Sequence, residues 1–417
     1  MTIRYQFNFE NSGQGLFYNG EIDQFNIIYD CGSENKRFLN KCINDYKETW
    51  HLKRKKQIDL LILSHFHKDH VNGLDKLLEN AKLDTVVFPY MDPVEKLYLL
   101  NNRNFINSNN KQLLINPIDY FIQKGVRQII LIKKTELKLE IPKSESKNES
   151  DLNIENINTN DIESNIHFNN SERDIILENT IIAGNRKLRD KIIVLEGTSY
   201  IHLSNIWKFL FFNLKRDDNQ LKNFKQAILK IQNDLKINFD NPYELQECLK
   251  NEELRKKIAE CYKEFKGNYN STSLCCYHGP NTIRFNIGYI SMKSMQTYGS
   301  KCFKTVFGTD FFSPINTLLT GDISLKNENW EPFVEHYKKH LNDIRITLIP
   351  HHGSIHNWNN QILEVTPKCK YWITSSGFSN RYRHPNIDVL LNLIEANKDV
   401  LNCNELSKVR IEGELHF

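Results

Sequence analysis

No apolar run in these 417 residues approaches the roughly 20 that a membrane-spanning helix needs. The opening MTIRYQFNFEN also lacks the apolar core of a secretory signal, so a cytoplasmic protein without a membrane partner is expected. The nine cysteines are odd in number and contain no C-x-x-C pair, which argues against a disulfide framework and against a thiolate zinc knot. Charge of one sign is missing too: 55 Lys and Arg against 51 Asp and Glu leave +4, so any basic surface must be local. There is no Rossmann glycine fingerprint, no P-loop and no repeat of solenoid period. What is present is core material, 40% hydrophobic and 11% aromatic, which excludes a chain disordered throughout despite a mean hydropathy of -0.54.

Strand patterns alternate with helical ones, the order of a layered α/β protein. YQFNF (5–9) and FNIIYD (25–30) predict an opening hairpin across a turn-rich segment containing Asn19-Gly20. The continuous run Ile58–Leu63 predicts a buried strand, and DTVVFPY (84–90) and RQIILI (127–132) predict two more. Residues 143–179 are rich in Ser, Asn, Glu and Asp and predict a polar loop excursion. Residues 205–267 predict a helical insertion, with Leu221, Phe224, Ile228, Ile231 and Leu235 on one face. Strand pattern then returns at 273–277, 317–320, 345–350 and 371–374, so 1–417 reads as a single domain with two insertions.

The strongest chemical signal is His65-Phe66-His67-Lys68-Asp69-His70, directly after a buried strand and before a helix. Imidazoles and carboxylates are ligands of zinc and other divalent ions, and so many within six positions reach one centre only from an irregular loop. Further on, Leu319-Thr320-Gly321-Asp322 and Ile349-Pro350-His351-His352-Gly353-Ser354 each follow an apolar strand. Ser375-Ser376-Gly377 and Asn380-Arg381-Tyr382-Arg383-His384-Pro385 follow another.

The hexad, together with Asp30-Cys31-Gly32 at a strand end and the later Gly-Asp, resembles the metallo-β-lactamase superfamily of hydrolases. The HHGS and N-x-x-x-HP elements look like the soluble metallo-β-lactamase-like domain of the DNA-uptake protein ComEC and its stand-alone relatives. The resemblance covers roughly residues 5–135 and 270–390, and the absence of any spanning segment means that a DNA-channel role is not carried over. It implies a four-layer αββα sandwich and one or two divalent ions, most readily Zn, with Mn or Fe as alternatives.

By the same resemblance His65 and His67 would hold a first ion, and Asp69, as ligand and catalytic carboxylate, would hold a second with His70. Asp322 would bridge the two, since its two oxygens can each take one ion. One of His351 and His352 would complete the second ion; His351, the first beyond the strand, is preferred, but neighbours cannot be separated by sequence. A further ligand for the first ion is open between His202, His278 and none. His384 is expected near the metals as acid or phosphate donor, with a structural role as the alternative. His352, Ser354, Asn380 and Arg381 are candidate substrate contacts, and Lys53-Arg54-Lys55-Lys56 is either a solvated face or a nucleic-acid contact. The implied function is a phosphodiesterase or nuclease using a metal-activated hydroxide, with nucleic acid or nucleotide as substrate. Hydrolysis of small esters, lactones or thioesters, or a non-catalytic regulatory module retaining the fold, are the alternatives.

Overall fold

The computed structural model describes residues 2–49, 56–91, 97, 111–134, 166–168, 191–195, 197, 199–204, 206–214, 222–239, 241–261, 273–281, 285–295, 302–310 and 315–416. The strands are β1 (Thr2–Phe9), β2 (Phe17–Ile22), β3 (Phe25–Cys31), β4 (Gln57–Ile62), β5 (Lys82–Pro89), β6 (Gln128–Ile132), β7 (Ile166–Phe168), β8 (Ile192–Leu195) and β9 (Tyr200–Leu203). They continue as β10 (Trp207–Phe212), β11 (Cys275–Pro280), β12 (Phe285–Met295), β13 (Cys302–Asp310), β14 (Asn316–Leu319), β15 (Ile344–Leu348), β16 (Tyr371–Ser375), β17 (Asp399–Cys403) and β18 (Ser407–His416). The helices are α1 (Lys36–Thr49), α2 (Lys68–Val71), α3 (Leu74–Leu78), α4 (Lys111–Ile115), α5 (Pro117–Gln123) and α6 (Lys222–Leu235). After them come α7 (Pro242–Lys250), α8 (Glu252–Cys261), α9 (Trp330–Tyr337), α10 (Ile362–Val365) and α11 (Ile387–Glu395).

Two sheets form, a ten-stranded one in the order β13-β12-β18-β1-β2-β3-β4-β5-β6-β8 and an eight-stranded one in the order β17-β16-β15-β14-β11-β10-β9-β7. Burial on both faces explains the near-continuous apolar runs of the central strands, because successive side chains point to opposite faces. In β4, Leu60 and Ile62 face the second sheet with Phe209, Leu319, Ile346 and Ile373, whereas Leu61 faces out. Leu39 and Ile43 of α1, Leu77 of α3 and Phe121 of α5 cover that outer face. The far face of the second sheet buries Leu318 and Trp372 under Phe333 of α9 and Leu393 of α11. The result is the four-layer αββα sandwich.

Several local expectations differ. The opening strands are not a hairpin: β2 lies between β1 and β3 and pairs with both. Asn19-Gly20 is mid-strand rather than turn, because the Phe7 ring lies over Gly20, where a Cβ would sit 2.1 Å from Phe7 Cδ1. The segment expected to be helical from 205 begins with β10, whose WKFLFF buries alternate residues early on, and the first described helix after it is Lys222–Leu235. There Ile228, Phe239, Leu245 and Ile258 join the core outside the first sheet while Leu235 is left exposed. Leu221 and the Phe224 side chain lie outside the described residues, as do Lys53–Lys55 and most of 143–179, within which Ile166–Phe168 pairs with β9. Among the described residues, no helix is long and apolar enough to cross a membrane.

Candidate metal centre

The site is assembled where parallel strands of both sheets end, β3 and β4 on one side and β14, β15 and β16 on the other. After β4 the chain leaves the sheet at Ser64. Phe66 turns into the outer core and packs edge-on against Phe88 at 5.6 Å, which leaves His65 and His67 facing the other way. The short helix α2 carries Asp69 and His70 and is pressed against the end of β3. A Cβ on Gly32 would lie 2.4 Å from Asp69 C and from His70 N, so only glycine permits that approach.

From the second sheet, Asp322 follows β14 and is 2% exposed. Its Oδ2 lies 3.5 Å from His65 Nε2 and 3.6 Å from His351 Nε2; its Oδ1 lies 3.3 Å from His70 Nε2 and 3.8 Å from His352 Nε2. Two groups with metal-ligand geometry result, His65, His67 and Asp322 in one and Asp69, His70 and His352 in the other, with ligand atoms within 4.8 Å of one another. The histidine that meets Asp69 (Nε2 to Oδ2, 3.3 Å) is therefore His352, whereas His351, preferred from sequence, faces the same carboxylate oxygen as His65. Two consecutive left-handed residues, φ 48° at His351 and 57° at His352, send adjacent rings to different sides of Asp322.

The second nitrogen of each ring fixes its orientation. His70 Nδ1 donates to Asp30 Oδ2 at 2.8 Å, and Asp30 also accepts from Ser64 N at 2.7 Å and Ser64 Oγ at 2.6 Å. His351 Nδ1 meets Asn357 Oδ1 at 3.0 Å. Asn357 Nδ2 donates to the Asp322 and Ile323 carbonyls, so its oxygen must be the atom facing His351, and His351 keeps its proton on Nδ1. His352 Nδ1 meets Ser375 Oγ at 3.1 Å, and His65 Nδ1 meets Ser64 Oγ at 2.9 Å and Ser273 Oγ at 3.2 Å. In each case Nε2 is turned to the centre.

Burial pushes the Asp322 carboxyl up, but His351, His70 and His65 outweigh it and hold it well below the usual range. Asp69 behaves alike, its burial outweighed by His70 and His352. Burial lowers His65, and His70 adds to the effect; His67 falls to about 3 by burial and the neighbouring His65. His70 moves the other way: burial opposes its charge, but Asp322, Asp30 and Asp69 together raise it. A buried imidazole held between three carboxylates marks a place that demands positive charge.

The atoms aimed at this place, His65 Nε2, His70 Nε2, His352 Nε2 and Asp322 Oδ1, are buried and have no hydrogen-bond partner. Orphaned buried groups of this kind are costly, and nitrogen and carboxylate donors of one set match a divalent ion. The residues therefore fit the metal pair.

The other candidates sit as follows. His384 is half-buried, with its ring 5.7 Å from that of His351 and Nδ1 buried without a partner. Burial, then His352 and His351, lower it to about 4. Asn380 uses its amide within the loop, donating to the Gly377 and His384 carbonyls and accepting from His384 N, so it shapes the loop that carries His384. Ser354 is buried and accepts from His356 N in a turn. Arg381 is exposed and lies over the Tyr382 ring. His278 is engaged at both nitrogens, by Tyr18 and Trp207, inside the sandwich, and His202 lies on β9 in neither ligand group. Asp30, Asn357, Ser273 and Ser375 have no site role assigned from sequence; Asp30, in its strand-end Asp-Cys-Gly, and Ser375, in Ser375-Ser376-Gly377, carry a signal, and Asn357 and Ser273 carry none.

Among solved structures, the chain is similar to the metallo-beta-lactamase fold protein YhfI from Bacillus subtilis at 9% identity, covering 97% of this chain and 98% of that one with a TM-score of 0.36. It is also similar to a new diphosphatase from the PhnP family at 10% identity, covering 100% of both chains with a TM-score of 0.33. No curated protein matches it. The architecture is the two-sheet sandwich of the metallo-β-lactamase fold, and residues 18–95, with the whole hexad inside them, match the family model described as the Metallo-beta-lactamase superfamily.

Proposed function

We propose that the protein is a metal-dependent hydrolase acting on phosphodiesters, as a phosphodiesterase or nuclease. The observation that carries this reading is Asp322, one carboxylate oxygen facing His65 and His351 and the other facing His70 and His352. His65, His67 and Asp322 would hold one divalent ion, and Asp69, His70, His352 and Asp322 the other. Two ions held by these residues would supply a hydroxide near neutral pH and would neutralise charge on a phosphoryl group. The chain's own residues do the rest: Asp30, Asn357 and Ser375 keep the imidazoles in register, and His384, next to His351 with an unpartnered nitrogen, is placed to donate to a phosphate or leaving-group oxygen. The ComEC-like HHGS and N-x-x-x-HP elements supply these last residues and favour a phosphodiester over an ester, lactone or thioester. Zinc is the ion that His and carboxylate donors suit best, with Mn and Fe as alternatives.

The test is turnover of bis(p-nitrophenyl) phosphate and single-stranded DNA against a lactone and a thioester, with metal content measured on each variant. Phosphodiester turnover is expected. His384→Ala should lower it about 10²- to 10⁴-fold with metal retained, and Asp322→Ala should lower both. Turnover of the lactone or thioester alone would move the assignment to that class, and no turnover at full metal occupancy would favour a regulatory module.

A further inference from the structure

Beside the metal centre the surface opens into a groove of about 400 Å³. Lys68, set between the ligand residues His67 and Asp69, lines it, and so does Arg381, three residues before His384. The groove is thus continuous in sequence with both halves of the site. Lys36, the first residue of α1, lines it as well, so the positive end of that fourteen-residue helix opens into it.

The cations are not all spent on neighbours. Lys68 lies 3.8 Å from Glu34, and Glu405 is 7% exposed with its Oε2 accepting from Phe378 N. Lys36 forms no ion pair among the described residues. Arg381 is held over the Tyr382 ring, 4.9 Å from its centroid, and donates to the Tyr382 hydroxyl, so its guanidinium is placed in advance on the groove wall.

A second observation is independent of charge. Gln14, between Gly13 and Gly15, lines the same groove and is only 4% exposed, yet its Oε1 is buried without a hydrogen-bond partner. An amide oxygen in that state is open to a donor, from a bound molecule or from water. The backbone around it is fixed, since Ser33 Oγ and Glu34 N both donate to the Gln14 carbonyl.

From this groove we infer that it binds a nucleotide unit next to the bond that is cut, Lys36, Lys68 and Arg381 taking an additional phosphate and Gln14 Oε1 accepting from a hydroxyl or ring N–H of the same unit. This rests on the phosphodiesterase reading and narrows its substrate class to diesters that carry a further phosphate on a nucleoside. A simple aryl diester leaves the groove unused.

The experiment compares the thymidine dinucleotide TpT, the same dinucleotide phosphorylated at both ends, and a hexathymidylate lacking terminal phosphates. Turnover is measured on the metal-loaded protein, and binding is measured by calorimetry in chelator. Phosphorylation should improve both kcat/KM and Kd by roughly tenfold, as expected for one charge-assisted contact. Arg381→Ala, Lys36→Ala and Gln14→Leu should each reduce that advantage; Arg381 and Lys36 are exposed, so those variants should fold. A hexamer preferred over TpT assigns the site to an interior phosphate, and a preference confined to the phosphorylated dinucleotide assigns it to a terminal one. Equal binding of all three by the wild-type protein, or an advantage unchanged in the variants, overturns the groove. Preferential binding without turnover of any of them overturns the phosphodiesterase reading and upholds the groove.

Discussion

Asp30 is fully buried at the end of β3 in a left-handed conformation, φ 57°, and its two oxygens are used up by Ser64 and by His70 Nδ1. It orients the candidate ligand His70 without belonging to either candidate ligand group. Asp30→Ala should weaken metal affinity about 10- to 100-fold, read by competition with a chelating indicator, and unchanged affinity would remove this role. His278 shows the opposite use of an imidazole. Trp207 Nε1 can only donate, so His278 Nδ1 accepts from it at 3.3 Å, and Nε2 carries the proton toward the Tyr18 hydroxyl at 2.8 Å. Burial lowers its pKa from 6.5 to about 3. Below pH 6.5 the unfolded chain takes up a proton that the folded chain refuses, so this contribution to stability is complete above that pH and is lost as pH falls toward 3. The unfolding free energy of the wild type relative to His278→Gln, measured in urea, should shrink by up to about 2 kcal/mol between roughly pH 6.5 and 4.5. A difference that stays constant with pH would show that the ring does not titrate in this way.

At the scale of elements, the unit that matters most is β4, the hexad and α2 packed on the end of β3. Gly32→Ala would drive a methyl into the Asp69–His70 backbone and shift α2 away from Asp322. A loss of about 1–3 kcal/mol in unfolding free energy is expected, together with reduced metal content by elemental analysis. Full metal content would show that the helix can yield. This unit was legible in sequence because a continuous apolar run, a cluster of ligand types and a helical pattern follow one another. Other elements were not. β2 was hidden because Asn19-Gly20 has the composition of a turn, and what keeps it in the sheet is a ring from β1. β10 was absorbed into the helical segment because the helical periodicity after it was carried back over a short strand. The choice between His351 and His352 depends on two left-handed φ values, which residue type does not announce. The alternation of β18 was present in its sequence, every second residue buried, but no chemistry drew attention to it.

For the whole molecule, the candidate ligands divide between the sheets: His65, His67, Asp69 and His70 follow a strand of the first, and Asp322, His351 and His352 follow strands of the second. Bound ions would tie the two halves of the sandwich. Chelation should therefore lower the unfolding temperature, by an amount corresponding to about 2.7 kcal/mol where free ion stood at a hundred times its Kd. Asp322→Ala should show much less of this shift in calorimetry; an equal shift would place the stabilising ion elsewhere. The sheet order carries one more consequence. β18 lies between β12 and β1, with Thr2 opposite His416, so β1 finds one of its two neighbours only in a strand made long after it. During synthesis β1 must wait at an open sheet edge until Ser407–His416 has been made. Such long loop closure makes for slow folding and a prolonged exposure to mispairing, in which a chaperone that shields strand edges would raise the yield of native protein.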